Sequence, residues 1–217
     1  INYNMFSKII KKVPLAIYIF LKLSISVAFL LALWRGQWLN AVAIFSILIL
    51  VSIPSFIKKR YKVAIPFEFE LLAMAFIYLA VFLGDLNRYY YKFWWWDLYL
   101  HLASGFLLGI LGFTLVYVLN DTKNIKLNMK AGFISLFAFT FAVSIGVIWE
   151  FFEYAMDFLF HLNMQRSGLP DTMLDLMMDA TGAFLISALG YLWMKQRISF
   201  FIFDRTLKRF IQRSKNW

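Results

Sequence analysis

The sequence predicts an all-α membrane protein with six transmembrane helices, and three observations carry that prediction. Of its 217 residues, 62% are hydrophobic and only 16% charged, and a mean hydropathy of +0.71 exceeds what a water-soluble domain can carry on a wetted surface. The apolar residues fall into six runs of about 20 residues or more, the length that crosses a hydrocarbon layer of ~30 Å as a helix. These runs are apolar on most faces and lack the strict alternation over about ten residues that a membrane β-barrel requires. A water-soluble enzyme is excluded. The absence of cysteine excludes disulfides, zinc–thiolate sites, iron–sulfur clusters and thiol nucleophiles.

The first run, 14–34, follows Lys8, Lys11 and Lys12 as a signal peptide would, but it is too long for such a segment and lacks a small-x-small cleavage site, so it is expected to be retained. The chain opens on Ile1 rather than Met, and further residues are expected upstream. The second run spans 38–57 and the third 65–86. The fourth, 94–119, is preceded by Tyr89, Tyr90 and Tyr91 and opens with Trp94, Trp95 and Trp96, a cluster of amphipathic rings suited to the headgroup level. The fifth covers 131–160 and the sixth 172–194. Residues 1–194 read as one six-helix domain, with no repeat or linker dividing them. Residues 195–217 interleave Phe200, Phe201, Ile202, Phe203, Leu207, Phe210 and Ile211 with Lys and Arg, the pattern of an amphipathic helix lying on an anionic membrane surface.

The formal charge of +10 would suggest nucleic acid in a soluble protein, but here it sorts by loop. Basic residues cluster before the first helix, in the second loop (Lys58, Lys59, Arg60, Lys62), in the fourth (Lys123, Lys126, Lys130) and after the last helix. The other loops hold only Arg35, then Arg88 with Lys92, then Arg166. By the positive-inside rule both termini are cytoplasmic, the host is a cytoplasmic (inner) membrane, and no nucleic-acid partner is expected.

Most of the acidic residues lie within or at the mouths of these spans, where each costs at least about 2.5 kcal/mol unless paired or hydrated. They are grouped by helical spacing. Asp97 and His101 are four apart; Glu150, Glu153 and Asp157 fall at i, i+3, i+7; Asp171, Asp175 and Asp179 fall at i, i+4, i+8. With the fourth and sixth spans entering from outside and the fifth leaving there, all three faces lie toward the outer end. At 1.5 Å per residue the last set runs about 12 Å along its helix and the fifth-span set about 10 Å, so the depths match. The three faces are expected to line one outward-facing site, with Arg166 over its mouth.

Carboxylates with one His suit a divalent metal: Mg²⁺, Mn²⁺ or Ca²⁺ among the oxygen-preferring ions, or Zn²⁺. On that reading Asp97, Glu150, Asp175 and Asp179 are metal ligands and His101 or Glu153 is a general base. Arg166, Asp157 and Asp171 then bind a substrate, and a phosphate-bearing envelope lipid or lipid-linked precursor fits metal and guanidinium together. Membrane lipids are the expected partners. Two alternatives stand beside this: a proton or cation relay through the acids, and a hydrogen-bonded network that only fixes helix packing. Gly105 and Gly109, with Ala103, Ser104 and Gly112, form a small-residue face on the fourth span, and Ala180, Gly182, Ala183, Ser187 and Gly190 form another on the sixth. Both are expected to permit close helix contact. Lys22 is expected to pair with Glu68 or Glu70.

The order of these motifs resembles a known family. "DLYLHLASGFLLG", "WEFFEYAMD", "RSG" and "DLMMDATGA" are similar to the pattern of the VanZ-like superfamily of small bacterial membrane proteins. The acidic Pro66-x-x-x-Glu70 helix before them resembles the YjdF-type branch in particular. The resemblance covers about residues 66–190 and implies that Asp97, His101, Glu150, Arg166, Asp175, Asp179 and Gly182 are family positions. Asp179 stands where many such proteins carry Asn. The resemblance implies a membrane fold and an envelope context, since the superfamily is linked to glycopeptide-antibiotic tolerance, and it implies no particular reaction.

A reporter fused after Trp217 is expected to be active on the cytoplasmic side. Activity of a periplasm-dependent reporter at that position would overturn the topology and the outward orientation of the acids together.

Overall fold

The computed structural model describes residues 3–61, 67–121, 129–161, 163–196 and 198–199. Most of the basic tail, residues 122–128 of the fourth loop, and Lys62 and Pro66 lie outside the described residues. The described residues are helical and contain no strand. The helices are α1 (Tyr3–Trp34), α2 (Trp38–Tyr61), α3 (Phe67–Ile77) with a π-helical continuation over Tyr78–Leu86, the short α4 (Tyr89–Lys92), α5 (Trp96–Asp121), α6 (Ala131–Phe160) and α7 (Leu169–Met194). Among the described residues, four stretches are long and apolar enough to cross a membrane: Val13–Trp34, Trp96–Tyr117, Ala131–Phe160 and Leu169–Met194. Shorter apolar stretches occur in the two remaining long segments, at Asn40–Ile53 and Phe69–Gly84.

Several boundaries differ from the apolar runs for identifiable reasons. α1 continues upstream through Pro14, which removes one backbone donor without stopping the helix. α2 carries on past its apolar run into the basic residues that close it, because Lys and Arg are good helix formers. α7 begins three residues before the predicted Thr172. Gly168, at φ 67°, turns the chain into the helix in a conformation that favours glycine, and Pro170 occupies the first turn, where its missing N–H is not needed.

The chain divides into two compact units, Ile1–Phe93 and Trp94–Trp217. In the first, Ile25 and Ala32 of α1, Ala41, Ile44, Ile47 and Val51 of α2, and Met74 of α3 form the core. The π-helical segment packs Gly84 against the ring of Tyr90. Glu70 is buried and accepts a hydrogen bond from Ser55 Oγ at 3.1 Å, whereas Lys22 is exposed.

The second unit is a three-helix bundle of α5, α6 and α7. Its interior combines small residues at the helix contacts, with Ala138, Ala142, Ala183 and Gly146 buried, with the fully buried Ile110, Phe113, Ile134 and Ile186, while Phe151, Phe158 and Phe184 are each more than 60% exposed. Large apolar groups exposed on the outer faces, with small residues at the helix contacts, is the pattern of helices whose solvent is lipid. α5 and α7 run parallel at very short range. A Cβ added at Gly105 would strike the backbone carbonyl of Asp179, one at Gly182 the carbonyl of Leu102, and one at Gly109 the side chain of Ile186. Gly190 similarly faces the Phe113 ring. α6 is antiparallel to both, since Gly112 of α5 meets Phe141 and Gly146 meets the Asp179 carboxylate. The N-termini of α5 and α7 and the C-terminus of α6 therefore share one end of the bundle.

Gly182→Ala should destabilise the protein by about 1–3 kcal/mol, because its Cβ meets rigid backbone rather than a movable side chain. Gly132→Ala, where nothing lies within 4 Å, should leave stability unchanged or slightly raised. Unfolding in detergent followed by circular dichroism measures both, and equal effects would contradict the close α5–α7 contact.

Candidate functional site

At the shared end of the bundle, α5, α6 and α7 turn acidic faces toward one another. Asp97 and His101 are one turn apart on α5, so both point to the same side, and α7 repeats an acid every four residues at 171, 175 and 179. Glu150 enters from α6. The close approach set by Gly105, Gly146 and Gly182 brings these side chains within ionic reach.

His101 is the centre of the cluster. Its Nδ1 lies 3.1 Å from Asp179 Oδ2, and Ser104 Oγ donates to Asp179 Oδ1 at 2.5 Å, so Asp179 is held at both oxygens. On its other side, His101 Nε2 faces three carboxylate oxygens: Asp97 Oδ1 at 3.8 Å, Asp175 Oδ1 at 3.9 Å and Glu150 Oε1 at 4.0 Å. All three distances exceed hydrogen-bond length. The side chains are almost fully enclosed, at 8% exposure for His101, 3% for Glu150 and 2% for Asp175 and Asp179, opening to 16% at Asp97 and 23% at Arg166. At full hydrogen-bond length neither oxygen of Glu150 nor Asp175 Oδ1 has a partner among the described residues, and the Thr172 hydroxyl is the polar group that interacts with Glu150.

An ionised Asp179 only accepts hydrogen bonds, so its contact places the ring proton on Nδ1, and in a neutral imidazole Nε2 is then an acceptor facing the three carboxylates. A lone pair surrounded by carboxylate oxygens calls for a cation between them. One ligand atom each from His101, Glu150 and Asp175 lie within 4.8 Å of one another, as do one each from Asp97, Asp171 and Asp175. That spacing suits donors around one ion with bonds of ~2.0–2.6 Å.

The loop between α6 and α7 closes the mouth. Asp157 Oδ1 and Oδ2 accept from the backbone N–H groups of Met164 (2.7 Å) and Gln165 (2.8 Å), and His161, left-handed at φ 54°, ends α6 with its N–H on the Asp157 carbonyl. Asp171 Oδ2 accepts from the Arg166 N–H at 3.1 Å, Gln165 Nε2 donates to Thr172 Oγ1 at 2.8 Å, and Arg166 Nη2 stands 3.5 Å from Asp97 Oδ2.

Of the residues singled out in the sequence, Asp97, His101, Glu150, Asp175 and Asp179 converge, with Arg166 and Asp171 at the rim. Asp157 spends both oxygens on the loop. Glu153, one turn on from Glu150, accepts from Trp149 Nε1 of its own helix at 2.9 Å. Ser104 and Gly146 belong to the site although the sequence marked neither as functional. Their signal was spacing: Ser104 is three residues after His101, and Gly146 four before Glu150, each on the acidic face of its helix.

Residues 14–196 match the family described as "Predicted membrane protein (DUF2238)", and the chain belongs to it. It is thus a membrane protein with several apolar helices. A protein of Thermotoga maritima described as "Uncharacterized protein" is 28% identical over 127 residues, covering 58% of this chain and 64% of that protein's length. No solved structure matches the chain.

Proposed function

We propose that this protein is a six-span protein of the prokaryotic cytoplasmic membrane, with both termini inside, that uses a divalent cation to bind a phosphate-bearing envelope lipid or lipid-linked precursor at the outer face. The distribution of Lys and Arg supports the orientation, and the match to a membrane-protein family is compatible with the VanZ-like resemblance.

One observation carries the cation: His101 Nε2 has carboxylate oxygens on three sides at 3.8–4.0 Å and at none of them a hydrogen bond. An imidazolium would draw one carboxylate to hydrogen-bond length, about 2.7–2.9 Å. An ion held by His101, Glu150 and Asp175 accounts for the standoff and for the unpartnered oxygens of Glu150 and Asp175. Asp179 then has a role different from that of a ligand. It fixes the ring from the far side, as carboxylates do behind metal-bound histidines, and Ser104 fixes Asp179.

The phosphate follows from what surrounds the ion. A divalent cation with open positions polarises phosphoryl oxygens, and Arg166 at the rim offers donors suited to the same group. The exposed apolar faces of α6 and α7 beside the mouth, including Phe158, Leu169 and Met173, can take up acyl chains. If the bound lipid is processed, the ion supplies Lewis acidity, with Glu153 the nearby carboxylate for proton transfer.

In detergent, at least one of Mg²⁺, Mn²⁺, Ca²⁺ and Zn²⁺ should raise the melting temperature of the metal-stripped wild type, by up to about 2.7 kcal/mol of added stability at an ion concentration 100-fold above Kd. Glu150→Gln and Asp175→Asn should lose most of that shift. A phosphomonoester lipid should add a further increase that requires both the ion and Arg166. Equal shifts in wild type and variants, or no shift with any of the four ions, would favour a proton relay or a network that only fixes helix packing.

A further inference from the structure

The cation reading leaves a second group of acids unexplained. Asp97, Asp171 and Asp175 also bring ligand oxygens within 4.8 Å of one another, nearer the mouth than Glu150. Asp175 belongs to both triads, is only 1% exposed, and has an unpartnered Oδ1. We propose that the site binds two divalent cations, an inner one at His101, Glu150 and Asp175 and an outer one at Asp97, Asp171 and Asp175, with the Asp175 carboxylate bridging them.

Charge supports the pair. Asp97, Glu150, Asp171, Asp175 and Asp179 bring five carboxylates together, and Arg166, 3.5 Å from Asp97, is the cation at their rim. With His101 neutral and all five carboxylates ionised, as metal ligation would require, these five and Arg166 would sum to a formal charge of −4, with Glu153 beside Glu150 left out of the sum. One divalent ion halves that charge and a second cancels it, which matters because uncompensated charge in a low-dielectric interior is strongly unfavourable. The burial gradient agrees, since the inner ligands are sealed while Asp97 is 16% exposed, so an outer ion has access to solvent and to a headgroup. Paired ions about 3.5–4 Å apart clamp the attacking and leaving oxygens of a phosphoryl group, and the loop that orders Arg166 through Asp171 sets its guanidinium beside the outer triad. The substrate class is accordingly a phosphate ester or diphosphate rather than a neutral lipid.

This inference rests on the single-cation reading, and a manganese titration separates their failures. Metal-stripped full-length protein in detergent is titrated with Mn²⁺ while electron paramagnetic resonance reports free and bound ion. Two ions per chain are expected, with a coupled spectrum replacing the six-line signal at saturation, and Asp171→Asn and Asp97→Asn should each bind one uncoupled ion. One ion in the wild type, unchanged in both variants, overturns the second site and leaves the first. Two uncoupled ions overturn the bridge. No specific binding in the wild type overturns both readings, without reference to whether either variant folds.

Discussion

The structure depends on buried carboxyl groups. Glu150, Asp175 and Asp179 are each at most 3% exposed inside a bundle whose outer surface is apolar, where an unpaired carboxylate costs several kcal/mol. The rest of the second unit is arranged around that cost. Ser104 and the His101 ring hold Asp179, Arg166 stands beside Asp97, and the loop from α6 to α7 is tied down by Asp157 and Asp171. None of these contacts reaches the oxygens of Glu150 or Asp175 Oδ1. The protein thus ties one oxygen of each rim acid to Arg166, holds its deepest acid at both oxygens, and leaves the oxygens between them for something else.

Glycine makes this geometry reachable. Helices that carry Gly105, Gly146 and Gly182 at their contacts approach until backbone meets backbone or carboxylate, so any larger residue there forces the neighbour to shift. The short axial distance brings acids from three helices to one imidazole. The same contacts that pack the bundle in lipid, where small residues replace the hydrophobic effect as the basis of association, also set the ligand spacing. Packing and site are one feature here, so a substitution at Gly182 should disturb both.

Much of the cluster was legible in the sequence, because helical periodicity is a strong signal. Spacing alone placed Asp171, Asp175 and Asp179 on one face and Asp97 with His101 on another, and the up-down order of the spans brought those faces to one end. The finer roles were not legible. Asp157 continues the face of Glu150 and Glu153, yet the loop's unpaired N–H groups claim it, an outcome set by a turn that periodicity does not describe. Ser104 sits in a small-residue stripe, where a hydroxyl looks like a spacer until a carboxylate from another helix is seen beside it. Asp179 reads as a ligand from its charge, and periodicity does not show that it lies on the Nδ1 side of the ring while Asp175 lies toward Nε2. The start of α7 depended on Gly168 and Pro170, local backbone features that lie outside the apolar run.

The central claim is that a cation belongs between His101 Nε2, Glu150 and Asp175. Anomalous diffraction from crystals grown with Mn²⁺ tests it most directly. A manganese peak is expected within ~2.0–2.6 Å of a ligand atom from each of these residues, with Asp179 remaining on Nδ1. A map without that peak, in which Nε2 has closed to hydrogen-bond length on a single carboxylate, would contradict it and make the imidazolium itself the counter-charge.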